Sequence, residues 1–308
     1  MAAQVYRRMV VHQNFLRIDD ERFVDALIEE ALPEDRVSFR KYLSARPFGL
    51  GAISAGPGFG KTSSLSIGTL GMLQTFGKMY GSGPTHVAVD NFAVRIAKHD
   101  RNVVERYNKD KPAGSFSSRA HCKIIVRGYK FDDEVGAFMN LLRDPHLEPR
   151  HAAPKGLWRG QSKWQPNLSL VSWLLVLLRC PAFPELHDDA SPVLRVMQAQ
   201  IDGNDRWKSL RDVATRTITW EEYEKGGIVD ERDVKISLAK ILEVADMVCT
   251  TPALSTKGPY DEWKNQRAKA VALDEAGNLN RADLYTVWGN TLLPCLIAGD
   301  DDQIPPPS

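Results

Sequence analysis

The chain has 308 residues, of which 43% are hydrophobic and 26% are charged, and its formal net charge is +1. This composition is typical of a globular protein with a buried core, and it excludes a disordered chain or a small disulfide-stapled scaffold. The near-neutral charge gives no general electrostatic argument for nucleic acid binding, so any basic surface would have to be local. The four cysteines have no Cys-x-x-Cys spacing, which argues against a zinc knuckle or a redox motif.

The sequence shows no targeting or membrane-spanning segment. The N-terminus has no apolar stretch of signal-peptide length, and the longest apolar run, residues 168–178, is too short to cross a bilayer. We therefore expect a soluble intracellular protein with no membrane partner, and we leave nucleus or cytoplasm open.

The N-terminal half predicts helices followed by alternating strands and helices. Residues 21–31 have apolar side chains at helical spacing and residues 35–45 continue as a second helix, with Pro33 between them. Apolar residues 50–54 predict a strand, a glycine-rich turn follows, and residues 62–74 predict a helix. Further along the chain, the pattern predicts strands at 85–89 and 123–126, with a helix at 90–99.

The second half begins with a mostly helical region and then returns to an α/β pattern. Helices are predicted at 131–143, 168–179, 205–215 and 231–246, and strands at 270–273 and 292–298. The sequence thus predicts an α/β fold with a parallel sheet flanked by helices and a mostly helical insertion. The predicted segments are an N-terminal helical segment (1–48), a first α/β part (49–130), the insertion (131–240) and a second α/β part (241–308).

The glycine-rich turn has the pattern of a phosphate-binding loop, or P-loop. Its residues are Gly56, Pro57, Gly58, Phe59, Gly60, Lys61, Thr62 and Ser63. Glycines let the backbone N–H groups curl around phosphates, Lys61 supplies a positive charge, and the Thr62 hydroxyl can bind Mg²⁺. The alternative, a chance glycine-rich turn, is disfavoured because a strand precedes the loop and a helix comes after it. The predicted ligands are ATP and Mg²⁺.

Two further motifs come after strands near the C-terminus. Asp274 and Glu275 come after strand 270–273, which we expect beside the strand that leads into the loop. There Asp274 could hold Mg²⁺ and Glu275 could act as the general base for the attacking water. Gln303, in Gly-Asp-x-x-Gln-x-Pro-Pro, could sense the γ-phosphate. Each motif alone could be an acidic surface turn; their joint order favours a catalytic set of Lys61, Glu275 and Gln303.

Taken together, these motifs resemble the first RecA-like domain of a superfamily 1 RNA/DNA helicase. The resemblance is closest to the branch with the nonsense-mediated-decay and Sen1-type helicases, often described as AAA-type. Segments 86–93 (HVAVDNFA) and 245–251 (ADMVCTT) are similar to two further motifs of that branch. In that family both segments lie along the path of single-stranded nucleic acid. The resemblance therefore implies Asn91, Thr250 and Thr251 as contacts to single-stranded RNA or DNA.

The resemblance also implies partners. The family's second RecA-like domain, with its arginine finger, would come after residue 308, so we expect this chain to be a fragment with weak ATPase activity alone. The insertion could bind a protein partner. The leading hypothesis is an ATP-hydrolysing helicase or translocase motor domain, and the alternative is a nucleotide-dependent scaffold or switch with little motor activity.

Overall fold

The computed structural model describes residues 11–56, 58–112, 118–144, 146–154, 163–226, 231–289 and 291–300. Two predicted site residues, Pro57 and Gln303, lie outside the described residues. The chain divides into two compact units, one within Met1–Ala120 and Asp246–Ser308 and the other within His121–Ala245. The predicted domain bounds at 48, 130 and 240 stay a prediction.

The strands form a small antiparallel pair and a six-stranded sheet. The pair joins β1 (His12–Gln13) to β2 (Arg46–Pro47). The sheet contains β3 (Leu50–Ser54), β4 (Met79–Ser82), β5 (Ile125–Arg127), β6 (Met247–Thr250), β7 (Ala270–Leu273) and β8 (Cys295–Gly299), in the spatial order β3-β8-β7-β4-β6-β5. The predicted α/β class with a parallel sheet flanked by helices is confirmed.

The helices of the described chain, in order, are α1 (Glu21–Ile28), α2 (Arg36–Ser44), α3 (Lys61–Phe76), α4 (His86–Asn108), α5 (Phe131–Arg143), α6 (Leu170–Leu177), α7 (Pro192–Asp202), α8 (Asp205–Ala214), α9 (Trp220–Gly226), α10 (Glu231–Val244), α11 (Gly258–Arg267) and α12 (Arg281–Trp288). Short 3-10 turns occur at Pro149–His151 and Ala276–Asn278. Helices α1 to α4, α11 and α12 belong to the first unit. None of the helices in the described residues is long and apolar enough to cross a membrane.

The parallel register brings the carboxyl ends of five strands to one edge of the sheet. Ser54 of β3 pairs with Gly299 of β8, and Leu273 of β7 pairs with Ile297 of β8. Ser82 of β4 pairs with Leu273 on one side and with Thr250 of β6 on the other. In open α/β sheets, ligands bind outside this carboxyl edge.

Helices α1 and α4 are joined by a buried charge network. Oε2 of Glu30 lies 2.6 Å from Nδ1 of His99 and accepts from Asn102, and its Oε1 accepts from Arg106 at 2.6 Å. Burial raises the pKa of this carboxyl, but these contacts outweigh burial and hold the pKa at about 2. The network fixes the N-terminal helices to the sheet-bearing unit.

The strand predicted at 85–89 is wrong, because these residues begin helix α4. Thr85 is its N-cap, and the Thr85 hydroxyl accepts from the N–H of Ala88 at 3.1 Å. The alternation of β-branched residues suggested a strand, yet Ala88, Val89 and Phe92 are buried at helical spacing while Val87 is 67% exposed. The strand lies earlier in the chain, at Met79–Ser82.

The second unit is mostly helical within the described residues and is built around α6. This helix is apolar on all sides and almost wholly buried. The fully buried carboxyl of Glu134, on α5, accepts from the N–H groups of Leu170 and Val171 in the first turn of α6 and from the indole of Trp164. Burial raises the pKa of Glu134 to about 7, although these donors favour its charged form. The carboxyl thus caps the start of α6.

Candidate functional site

Three strand ends of the first unit bring predicted site residues together. Strand β3 leads into the glycine loop and α3, β7 ends before Asp274, and β8 ends at Gly299. The expectation that the strand ending in Asp274 lies beside β3 is wrong, because β8 lies between β7 and β3. The site still forms, since parallel pairing through β8 keeps all three carboxyl ends at the same edge.

The loop has the backbone shape that only glycine adopts without strain. Gly58 has φ of 82° and Gly60 has φ of 75°, both in the left-handed region. A Cβ at either position would meet nothing within 4 Å, so the requirement for glycine is conformational and not one of space. Gly60 is the N-cap of α3, and its carbonyl accepts from the N–H of Ser64 at 2.9 Å. The loop thus delivers the positive end of a 16-residue helix to the carboxyl edge.

The first two residues of α3 point their functional groups into this site. Lys61 is only 7% exposed, and its Nζ donates to the carbonyl of Gly56 across the loop at 3.2 Å. The Thr62 hydroxyl donates to Oδ2 of Asp274 at 3.0 Å, over a sequence separation of 212 residues. The two motifs predicted to share one site are therefore in direct contact.

Asp274 is buried and electrostatically unusual. Burial raises its pKa to about 6, although the Thr62 hydroxyl, the Glu275 backbone N–H and the charge of Lys61 favour the ionised form. The Glu275 N–H donates to Oδ1 at 3.0 Å, so both carboxyl oxygens have a partner. Burial removes the water that stabilises an ionised carboxylate, and a cation that binds nearby stabilises the ionised form again.

The donor atoms fit a magnesium ion bound together with phosphates. Mg²⁺ prefers oxygen ligands and is usually held by one or two carboxylates plus substrate phosphates. The Asp274 carboxyl and the Thr62 hydroxyl supply such oxygens, and the two groups are hydrogen-bonded to each other. Within the described chain there is no cluster of three or more His, Cys, Asp or Glu side chains that could hold a metal without a substrate. The site therefore suits a metal that takes some of its oxygen ligands from the substrate.

Glu275 combines a strained backbone with a buried carboxyl oxygen. Its φ of 51° and ψ of 41° are left-handed, which costs a non-glycine residue roughly 1 kcal/mol. Its Oε2 is buried and has no hydrogen-bond partner among the described residues. Strain and an unsatisfied acceptor in one residue are typical of functional sites, where the surrounding structure enforces an unfavourable geometry.

The remaining loop residues frame the opening of the site. Phe59 is 77% exposed, and its ring lies against Gly56, where a Cβ would come within 3.5 Å of Cδ2. Ser63 is half-buried in the first turn of α3. Pro57 and Gln303 belong to the predicted set but lie outside the described residues.

The three predicted nucleic acid contacts do not form one exposed surface. Asn91 is exposed on α4. Thr250, in contrast, is fully buried at the end of β6, where its hydroxyl bonds to that of Tyr80 and donates to the Thr251 carbonyl. Thr251 is 8% exposed. The burial of Thr250 argues against a contact to nucleic acid, because its hydroxyl is already engaged by groups of the protein interior.

Sequence reasoning missed two residues that shape the site. Ser82, at the end of β4, accepts the N–H of Asp274 through its carbonyl at 2.9 Å. Its hydroxyl donates to the Thr250 carbonyl at 2.7 Å. Gly299 ends β8 and touches both the loop and the turn after Glu275. The Gly-Pro-Thr turn at 83–85 was the available signal for Ser82, since it marks a strand end that precedes a helix N-cap.

Comparison with known proteins adds no family to this picture. No protein-family model matches the chain, and no curated protein matches it. The functional assignment of this chain therefore depends on the geometry of the carboxyl edge.

Proposed function

We propose that this chain binds ATP with Mg²⁺ and hydrolyses it, as the nucleotide-binding half of a helicase-like motor. One observation carries the proposal: the Thr62 hydroxyl and the Asp274 carboxylate meet at 3.0 Å beside Lys61, at the start of a helix that comes after a left-handed glycine loop. Each of these features has a separate role toward phosphate or its metal. A chance glycine turn gives no reason for a buried Asp from a distant strand to contact it.

The residues of the site divide the work of phosphoryl transfer. The loop amides, the start of α3 and Lys61 hold the phosphates, and Thr62 and Asp274 would hold Mg²⁺. The metal, when bound, neutralises charge on the phosphates. Glu275 accepts a proton from a water whose oxygen bonds to the γ-phosphorus, while the bond from that phosphorus to the β,γ-bridging oxygen breaks. ADP takes the electron pair of that bond, and phosphate leaves. Gln303 would contact the γ-phosphate.

The motor part of the proposal rests on the resemblance to superfamily 1 helicases. In such proteins a second RecA-like domain supplies an arginine finger, which contributes about 10³- to 10⁵-fold in related phosphoryl-transfer enzymes. We infer that single-stranded RNA or DNA is the track. Exposed Asn91 is the best placed of the three predicted contacts to meet a strand.

The test is Mg²⁺-dependent nucleotide binding and single-turnover hydrolysis with protein in excess. Lys61→Ala should weaken binding of MgATP at least tenfold, since it removes the buried cation of the loop. Glu275→Gln should leave binding intact and slow turnover strongly, to a residual rate that single-turnover conditions still measure. Lys41→Ala, at an exposed position of α2, is the matched control. Equal affinity of the wild type and Lys61→Ala for MgATP would refute the assignment. Parallel titrations with GTP and CTP identify the base preference.

The alternative function, a nucleotide-dependent scaffold, has its own supporting observation. The helical unit contains a cavity of about 640 Å³ that is lined by apolar residues such as Leu174 and Ile241 and by polar residues such as Gln200 and Lys240. A cavity of this size is in the range that binds ligands or side chains of a partner. ATP turnover that no single-stranded RNA or DNA stimulates would favour the scaffold over the motor.

A further inference from the structure

Two glycines at the carboxyl edge touch each other through their backbones. Gly277 lies in the 3-10 turn Ala276–Asn278, and Gly299 is the last residue of β8. A Cβ on Gly277 would lie 2.5 Å from the carbonyl oxygen of Asp300. A Cβ on Gly299 would lie 2.8 Å from the backbone nitrogen of Gly277 and 3.4 Å from that of Ala276. Neither glycine can be replaced without moving the backbone of the other segment.

This contact differs in kind from the glycines of the loop. Gly58 and Gly60 have positive φ and open space, whereas Gly277 and Gly299 have ordinary φ and no space. Gly277 is also exposed, so packing of a core does not explain it. The only role that the geometry leaves for these two glycines is the close approach of the turn to the end of β8.

The contact connects two parts of the candidate site. Gly277 lies two residues after the strained Glu275, in the turn for which Glu275 is the N-cap. On the other side, the carbonyl of Gly299 accepts from the N–H of Ala55, at the entrance to the glycine loop, at 3.3 Å. A backbone path therefore runs from the loop through Gly299 to the turn that holds Glu275.

We propose that Gly277 and Gly299 are positioning residues that fix Glu275 relative to the phosphate loop. The inference rests on the proposed function, in which Glu275 is the base, and it adds how that base is held. A Cβ at either glycine pushes the turn away from β8 and displaces Glu275 from the attacking water. The phosphates are held by the loop and α3, whereas the three atoms nearest to a Cβ on Gly277 all belong to Asp300, so Gly277→Ala spares nucleotide binding.

The experiment compares Gly277→Ala and Gly299→Ala with the wild type in MgATP affinity and in single-turnover hydrolysis. Hydrolysis should fall about 10- to 100-fold, as expected for a displacement near 1 Å, while affinity stays within about threefold. Gly277→Ala should lose more activity than Gly299→Ala, because its overlap is closer. Gly203→Ala is the matched control, since its Cβ would make an ordinary 3.5 Å contact.

A double-mutant cycle with Glu275→Gln separates positioning from general damage. If Gly277 acts through Glu275, then Gly277→Ala causes no further loss of hydrolysis once Glu275→Gln is present. An additional loss equal to that in the wild type, or unchanged hydrolysis in both glycine variants, overturns the proposal. If Gly277→Ala does not fold, the milder Gly299→Ala carries the same cycle.

The proposed function and this inference fail in different ways. A wild type that does not bind MgATP refutes both. Only the positioning role is refuted if the wild type hydrolyses ATP, Glu275→Gln has lost most of this activity and Gly277→Ala is fully active.

Discussion

Replacing Asp274 with Asn should stabilise the protein at neutral pH while removing its response to Mg²⁺. Burial raises the pKa of Asp274 from 3.8 to about 6, so folding at neutral pH places a charge where water cannot solvate it. One pKa unit corresponds to about 1.4 kcal/mol, which gives about 3 kcal/mol as the order of magnitude. Asp274→Asn removes this cost and leaves the shape of the side chain unchanged.

The amide also keeps the hydrogen bonds of the carboxylate. Its oxygen can accept from the Glu275 N–H, and its nitrogen can donate to the Thr62 hydroxyl, which can act as acceptor as well as donor. No buried polar atom of this set is left without a partner, so the electrostatic gain is not cancelled by a lost bond.

The pH dependence gives the prediction its sign. Because the folded pKa exceeds the unfolded value, protonated Asp274 favours the folded state, and this contribution is complete below about pH 4. It is lost as the pH rises through about 6. The free energy of unfolding of Asp274→Asn minus that of the wild type should therefore grow by about 3 kcal/mol between pH 4 and pH 8.

The assay is urea unfolding of both proteins across this pH range, with and without MgATP. Asp35→Asn, at an exposed N-cap whose side chain makes no capping bond, is the control for replacing a carboxyl by an amide. MgATP should raise the unfolding midpoint of the wild type far more than that of Asp274→Asn, because a ligand that binds the folded state stabilises it by RT ln(1 + [L]/Kd), which falls as the affinity falls. A stability difference that does not change with pH would refute the reasoning.

Three further predictions concern other parts of the first unit. Gly60→Ala should lower the free energy of unfolding by about 1 to 2 kcal/mol in urea titrations, because alanine disfavours the φ of 75°; Gly203→Ala, with negative φ, is its control. Glu30→Gln should lower the free energy of unfolding by about 1 to 3 kcal/mol at pH 7 in the same titrations and by little near pH 2. The contribution of a carboxyl with a lowered pKa is complete above about 4.5 and is lost as the pH falls through about 2. Asn91→Ala should weaken the binding of single-stranded RNA or DNA in fluorescence anisotropy. Thr250→Val should lower the free energy of unfolding without changing that affinity, because Thr250 is buried. A loss of affinity in Thr250→Val with none in Asn91→Ala would contradict this reasoning.

The sequence predicted the local parts of the site well. A strand at 50–54, a helix at 62–74 and a buried strand at 270–273 depend on nearby residues and match β3, α3 and β7. The strand at 85–89 failed because β-branched residues fit the first turns of a helix when a Thr N-cap precedes them. Met79–Ser82 escaped notice because Gly81 interrupts its apolar pattern, and that glycine is required by Met247 and Cys249 on the neighbouring strand.

Contacts between distant segments could not be predicted from the chain alone. That β8 separates β3 from β7 is a result of the pairing of whole strands, which no local pattern encodes. The burial of Thr250 likewise depends on β4, a strand far away in the sequence that pairs with β6 and brings Tyr80 to the Thr250 hydroxyl. The resemblance singled out Thr250, but no local pattern predicted the strand that it ends or the side chains that cover it.

Both acidic residues proposed to act in the site lower the stability of the folded protein. Asp274 holds a raised pKa, Glu275 holds a left-handed backbone and a buried unpaired oxygen, and both come directly after the same buried strand. Relaxation of either would be easy if the turn after them were free to move. The contact of Gly277 with Gly299 prevents this, because it fixes the turn to a strand that is itself paired on both sides. The strain at Glu275 and the glycine contact are therefore two aspects of one arrangement, in which the sheet holds an unfavourable geometry beside the glycine loop.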